Sequence, residues 1–291
     1  MSAIDLVIRG HLHDLGDGFN VRRALPAVQR RHVGPFVFFD EMGPVEQPTG
    51  KGMDVRPHPH IALATLTYLF DGAIEHRDSL GTHAVVVPGD VNWMIAGQGI
   101  AHSERSPVDE RKKTHRIHGI QAWVGLHTSE EESPPRFVHH DAAELPLVEK
   151  DGCTIRLISG AAFGATAPTP MKTPTIYADV RVAPGGALAI PTTYEEVAIY
   201  VVDGTVMCED QAFEPGAMVI FHPHAAATVR ADAAARVMLL GGDTLDGPRH
   251  IWWNFVSSSE ERIEEAKRDW KERRFPLVPG DDVEFIPLPE R

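Results

Sequence analysis

Apolar residues in this chain come in short runs, each cut by a pair of turn formers. Residues 61–70 are mostly apolar or β-branched and end at Asp71-Gly72. Residues 84–87 follow and end at Pro88-Gly89, and residues 91–95 come next. Runs of this length read as strands, and Asp-Gly reads as a hairpin turn because both residues tolerate positive φ. The same grammar returns later. Residues 197–202 close at Asp203-Gly204, and Pro215-Gly216 precedes residues 217–221. Strand, Asp-Gly, strand, Pro-Gly, strand, met twice, points to a duplicated all-β unit of the sandwich or barrel kind. Residues 159–174 are rich in Ala, Thr, Pro and Gly and read as a linker or long loop between the copies. Helical spacing is clear only near the end. Ser259 is a candidate N-cap for a helix over 260–273, acidic early and basic late, with Ile263, Ala266 and Trp270 on one face.

Composition narrows the function classes. The 291 residues are 43% hydrophobic and 24% charged, which suits a packed core rather than a disordered chain. The net charge of -13, and a longest basic cluster of only Arg111-Lys112-Lys113, argue against direct nucleic-acid binding. Two cysteines, Cys153 and Cys208, cannot make a disulfide framework and suit a reducing, cytoplasmic setting. The N-terminus lacks the pattern of a signal peptide, and no apolar run approaches the ~20 residues a spanning helix needs, so no membrane association is expected.

The chemistry sits in two short segments. Arg-Pro-His-Pro-His at 56–60 places His58 and His60 two apart, and Ile-Ala-His-Ser-Glu-Arg at 100–105 places His102 and Glu104 two apart. On extended backbone, residues two apart share a face. Two such pairs on neighbouring strands bring three imidazoles and one carboxylate to a point. That donor set, with no thiolate, suits Fe, Ni, Cu, Mn or Zn, and it leaves positions open on a six-coordinate metal. Glu104 doubles as a candidate catalytic base. Gln121 is the candidate second-sphere partner. Trp93 and Met94 could line the pocket or the core, and His83, His115 and His118 could stand near it. H-E-x-x-H, G-x-S-x-G and P-loop motifs are missing.

These residues carry a resemblance. Cupin barrels are marked by G-x5-HxH-x3,4-E-x6-G and G-x5-PxG-x2-H-x3-N. His58-Pro-His60 stands in the first without its following Glu, since Thr65 and Leu66 occupy that zone. Gly89 through Gly97 stands in the second, with two extra residues before His102. H-P-H, then T-Y-L-F-D-G, then P-G-D-V-N-W-M-x-A-G-x-G-I-x-H-S-E resembles the pirin family of bicupins. Gln121-Ala-Trp123, the Trp252-Trp253-Asn254-Phe255 stretch and the ending V-P-G-D-x-x-E-F-I-P-L-P extend the likeness along the chain.

The resemblance implies two tandem cupin (jelly-roll) barrels with a short C-terminal helix. Residues 1–145 would form the N-terminal barrel with the metal site, and 146–291 a barrel without ligands that ends in the helix and tail. It implies one metal on His58, His60, His102 and Glu104, with Fe(II) expected and Ni, Cu, Mn or Zn as alternatives. Two functions follow from it. One is quercetin 2,3-dioxygenase-like oxygenation of a chelating flavonol-like small molecule by O2. The other is iron-dependent, redox-sensing regulation of a protein partner. A monomer is expected. Internal alignment places Ile190 and Thr192 at the His58 and His60 positions of the second barrel and Ala227 at its third ligand slot, leaving His222 and His224 as decoys.

Overall fold

A computed structural model describes residues 2–14, 20–169 and 171–290. Two compact all-β units emerge. One comprises Met1–His13, Arg22–Asp40 and Ala143–Leu245, and the other Asp14–Val21, Glu41–Ala142 and Asp246–Arg291. They are called here the 143–245 unit and the 41–142 unit. The chain is thus shared otherwise than as two halves meeting at 145/146. Ile4–Arg9 pairs antiparallel with Ala217–Phe221 as an edge strand of the 143–245 unit, whereas the C-terminal helix and tail belong to the 41–142 unit. Position along the chain does not encode this, because an edge strand is recruited by the sheet whose unpaired N–H and C=O groups it satisfies.

The duplication is visible in the strand order. In the 41–142 unit a four-stranded sheet runs Asp54–His60, Ile100–Arg105, Ile74–Asp78, His83–Val86. In the 143–245 unit the corresponding sheet runs Ala187–Ala189, Thr228–Arg230, Val206–Cys208, Gln211–Phe213, the same order of first, fourth, second, third. Each faces a larger antiparallel sheet. In the 41–142 unit that sheet includes Arg136–His140, Val91–Ile95, Leu63–Asp71 and His115–Gly125.

Residues 61–70 do not form one strand leading straight on from His60. The strand begins at Leu63, and Asp54–His60 belongs to the other sheet. The chain turns the corner at Ala62, whose φ is 53°. A second corner lies beside it, where Ala62 N–H donates to Gly97 O at 2.8 Å. Gly97 has φ 50°, and a Cβ there would lie 2.0 Å from Ser133 O, so only glycine fits. Ala96 N–H also donates to Leu63 O at 2.8 Å, so Asp54–His60 and Ile100–Arg105 both adjoin a doubly bonded corner.

Residues 159–174 are not a linker between the units. Within the 143–245 unit, Ala161–Ala162 pairs with Ala165–Thr166 in a small hairpin, and Ala162, Phe163 and Ala165 pack on that unit's core. Small, turn-forming residues suit a tight hairpin as well as a linker or long loop; Pro170 lies outside the described residues.

The helix runs Glu260–Lys271, with the Ser259 hydroxyl accepting Arg262 N–H at 3.2 Å. It stops short of 273, where Arg273 takes φ 57°. Its buried Ile263, Ala266 and Trp270 pack with Ile61, Ala101, Phe255, Phe275 and Val278. Ile61 and Ala101 are sequence neighbours of His60 and His102, so by strand alternation the helix covers the backs of the ligand strands. The tail adds to this: Ile286 N–H donates to Pro57 O, Trp270 Nε1–H donates to Ile286 O, and Arg105 pairs with Asp281 and Glu284. Among the described residues no helix is long and apolar enough to cross a membrane. Replacing Trp270 by Ala is expected to cost about 3 kcal/mol of stability through lost burial and a residual cavity. Glu265→Ala, on the solvent side, is expected to stay within about 0.5 kcal/mol; urea titration of the two variants checks both.

Candidate metal centre

The strand Ile100–Arg105 lies antiparallel to Asp54–His60, with His102 opposite His58 and Ile100 opposite His60. Register then slips, for Glu104 stands opposite Val55. The extra residue falls at Arg56-Pro57, where proline has no N–H to withdraw from the ladder. All four side chains are buried. Period-two spacing thus does what the sequence indicates, with a bulge beside the site to aim it.

His58, His60 and His102 each offer a ring nitrogen within 4.8 Å of the other two. The protons are placed by neighbouring acceptors. His58 Nδ1–H donates to Arg56 O at 2.9 Å, and His60 Nδ1–H donates to Asn254 O at 3.0 Å. Nε2 of both rings is then a bare lone pair. His60 Nε2 lies 3.1 Å from His102 Nε2. Burial pushes the His58 imidazole down to about 4, against the pull of its bond to Arg56. Burial, helped by the neighbouring histidines, holds His60 and His102 well below the ordinary histidine range. The rings are neutral, as metal ligands must be.

Glu104 meets this cluster from the side. It is not one of the triple just named, but with His102 and His76 it forms a second group of donors within the same 4.8 Å. Thr67 Oγ1 lies 2.9 Å from Glu104 Oε1 and 2.8 Å from Gln121 Oε1, and Gln121 is Thr67's register partner on the next strand. Gln121 therefore stands where expected. Burial raises the Glu104 carboxyl above the ordinary carboxylate range, against lowering by His76, Thr67 and Gln121. The Trp123 ring meets His60 edge-on at 5.1 Å.

The residues fit a bound metal. His58 and His60 have their Nδ1 protons held by carbonyl oxygens and so turn bare Nε2 lone pairs inward, and His102 Nε2 stands 3.1 Å from that of His60. Three imidazoles beside one carboxylate suit a borderline or hard transition metal.

Trp93 is fully buried, and Met94 packs with Ala96 and Ile100. His83 pairs with Glu75, His115 with Lys113 O, and His118 with Glu41. His222 faces Asp5 and His224 bonds Thr192 O, and neither joins a metal-capable group among the described residues. In the 143–245 unit Ile190 N–H donates to Ala227 O at 2.9 Å, so the degenerate ligand positions do meet, as apolar residues. Sequence reasoning missed His76 and Asp78. Their signal was available: they stand two apart on a short strand just after Asp71-Gly72, the same spacing as the ligand pairs.

Residues 18–124 match the Pirin family model, and residues 177–276 match the Pirin C-terminal cupin domain. A pirin-like protein of Caulobacter vibrioides is 49% identical over 99% of this chain and 100% of its own length. The chain belongs to the pirin family. Human Pirin is 31% identical over 88% of both chains. The crystal structure of a quercetin 2,3-dioxygenase from Acinetobacter baumannii superposes with a TM-score of 0.90 at 31% identity, over 98% of this chain and 96% of that one. Both pirin cupin domains are present here, each with its own four-stranded sheet.

The depressed histidines make the metal-free pirin acid-sensitive. In the unfolded chain these rings protonate near pH 6.5, whereas folded His58 resists until about pH 4 and the other two are held down as well. Stability is therefore lost as pH falls from about 6.5 towards 4, by at most about 1.4 kcal/mol per pH unit for each histidine. Glu104, with its raised carboxyl, acts in the opposite sense but is one group against three. Urea midpoints at pH 6.5 and 4.5 should differ for wild type, and the difference should shrink when the three histidines are changed to glutamine.

Proposed function

We propose that this pirin is a metal-dependent dioxygenase of the quercetinase type, acting with O2 on a flavonol or another vicinal keto-enol or catechol-like chelator. The observation that carries the reading is the convergence of the His58, His60 and His102 nitrogens beside a buried carboxylate. The likeness to the Acinetobacter baumannii quercetin 2,3-dioxygenase supports it.

His58, His60, His102 and Glu104 would hold the metal, with Fe(II) the expected ion and Ni, Cu, Mn or Zn compatible with the donors. A bound ion would supply Lewis acidity and redox capacity where a chelating substrate docks. The protein's own part is to orient and to move a proton. Burial makes the Glu104 carboxylate a stronger base than an exposed one, and Thr67 and Gln121 fix its direction. It would take the substrate's hydroxyl proton. Trp123 stands edge-on to His60.

A second reading has its own support. The net charge of -13 suits a basic protein partner, and a redox-responsive metal on this scaffold could regulate it. Two buried, unpaired thiols accord with a cytoplasmic setting for either role. Oxygen uptake on adding a flavonol to metal-loaded protein separates the readings. Sustained turnover is expected, and Glu104→Gln should cut it by at least about 100-fold, the order a general base contributes. Loaded protein that consumes no O2 would favour the regulatory module, and a fully active Glu104→Gln would refute the base role.

A further inference from the structure

His102 differs from the other two histidines in how its proton is placed. No carbonyl oxygen caps its Nδ1; instead that atom lies 3.4 Å from Nδ1 of His76. His76 Nε2 lies 3.1 Å from Asp78 Oδ2. Asp78 Oδ1 is in turn fixed by Leu80 N–H at 2.9 Å and Thr82 N–H at 3.0 Å. His76, Asp78 and His102 are all buried, and the Phe137 ring stacks on His76 at 4.6 Å and 25°.

With one proton on each ring, the protons along this chain can be arranged in one way. A carboxylate only accepts, so Asp78 obliges His76 to carry its proton on Nε2. His76 Nδ1 is then a lone pair and accepts from His102 Nδ1–H. His102 Nε2 is left bare, facing His60 Nε2. Asp78 is held as an acceptor by the Leu80 and Thr82 N–H groups on Oδ1, which leaves Oδ2 to accept from His76.

We infer that His76 and Asp78 are positioning residues, a relay that locks His102 in the tautomer that presents Nε2 to the metal centre. The inference rests on the metal site proposed above. The relay does for His102 what the Arg56 and Asn254 carbonyls do for His58 and His60. It also links a buried negative charge through two rings to one ligand, and such a partner raises a ligand's basicity. His76 belongs to the relay rather than to the ligand set, since its Nδ1 lone pair is already committed to the proton of His102.

The decisive variant is Asp78→Asn. Its amide oxygen can keep accepting from Leu80 and Thr82, which turns the NH2 towards His76. His76 must then accept at Nε2 and donate from Nδ1, and His102 must accept at Nδ1 and carry its proton on Nε2, pointed into the site. A near-isosteric change at a carboxylate is thus expected to invert a tautomer two rings away. Long-range 15N–1H spectra of metal-free protein with 15N-labelled histidine should place the His102 proton on Nδ1 in wild type and on Nε2 in Asp78→Asn. Nickel(II) alone, titrated against a competing chelator, should bind about 10- to 100-fold more weakly to Asp78→Asn.

His76→Leu cuts the relay and should weaken nickel by about 10-fold. The double variant His76→Leu/Asp78→Asn should be no worse than His76→Leu, because Asp78 acts only through His76. A merely structural role for Asp78 would make the two losses multiply, and that result overturns the proposal. So does an unchanged His102 tautomer in Asp78→Asn. If wild type bound no nickel while Asp78→Asn still inverted the tautomer, the relay would stand and the metal reading would fall.

Discussion

The convergence of three buried imidazoles, His58, His60 and His102, is the constraint around which the 41–142 unit is organised. His60 Nε2 and His102 Nε2 lie 3.1 Å apart, and the His60 proton is held on its other side by the Asn254 carbonyl. Burial holds both rings below the ordinary histidine range, and strand pairing fixes the backbone that carries them. Much nearby structure serves this arrangement. The bulge at Arg56-Pro57 sets the register, and the Ala62–Gly97 corner joins the two ligand strands. The C-terminal helix seals their backs through Ile61 and Ala101.

The 143–245 unit shows what the same strand order becomes without that constraint. Its interior is almost wholly apolar, built on residues such as Ile155, Leu157, Ile199, Val219 and Leu239. Ile190 and Ala227 meet where ligands would stand. Apolar packing stabilises such a core at no desolvation cost, whereas buried histidines and a buried carboxylate are costly unless they are paired or bind a metal. The contrast between two copies of one architecture sets the polar interior of the 41–142 unit apart.

Much of this was legible in the sequence, and the reasons are local. Strand punctuation by Asp-Gly and Pro-Gly, the Ser259 cap and the two-residue spacing of His58/His60 and His102/Glu104 are properties of a few adjacent residues. What escaped depends on residues far apart in the chain. The recruitment of Ile4–Arg9 by Ala217–Phe221 is one case. Another is the packing of the 159–174 segment within one unit rather than between two. The relay through His76 needs Asp78, His102 and the turn at Thr82 brought together by pairing of Ile74–Asp78 with Ile100–Arg105. The two-residue spacing of His76 and Asp78 signals a shared face but not which strand pairs with it.

The claim that the His58–His60–His102–Glu104 cluster is a metal centre is tested most directly by elemental analysis. Wild-type protein would be purified beside His58→Ala/His102→Ala, each as isolated and after reconstitution with Fe(II) or Ni(II). The account predicts about one metal ion per chain in wild type and none in a double variant that remains folded. A wild type that neither retains nor takes up metal, or a double variant that keeps it, would contradict the account.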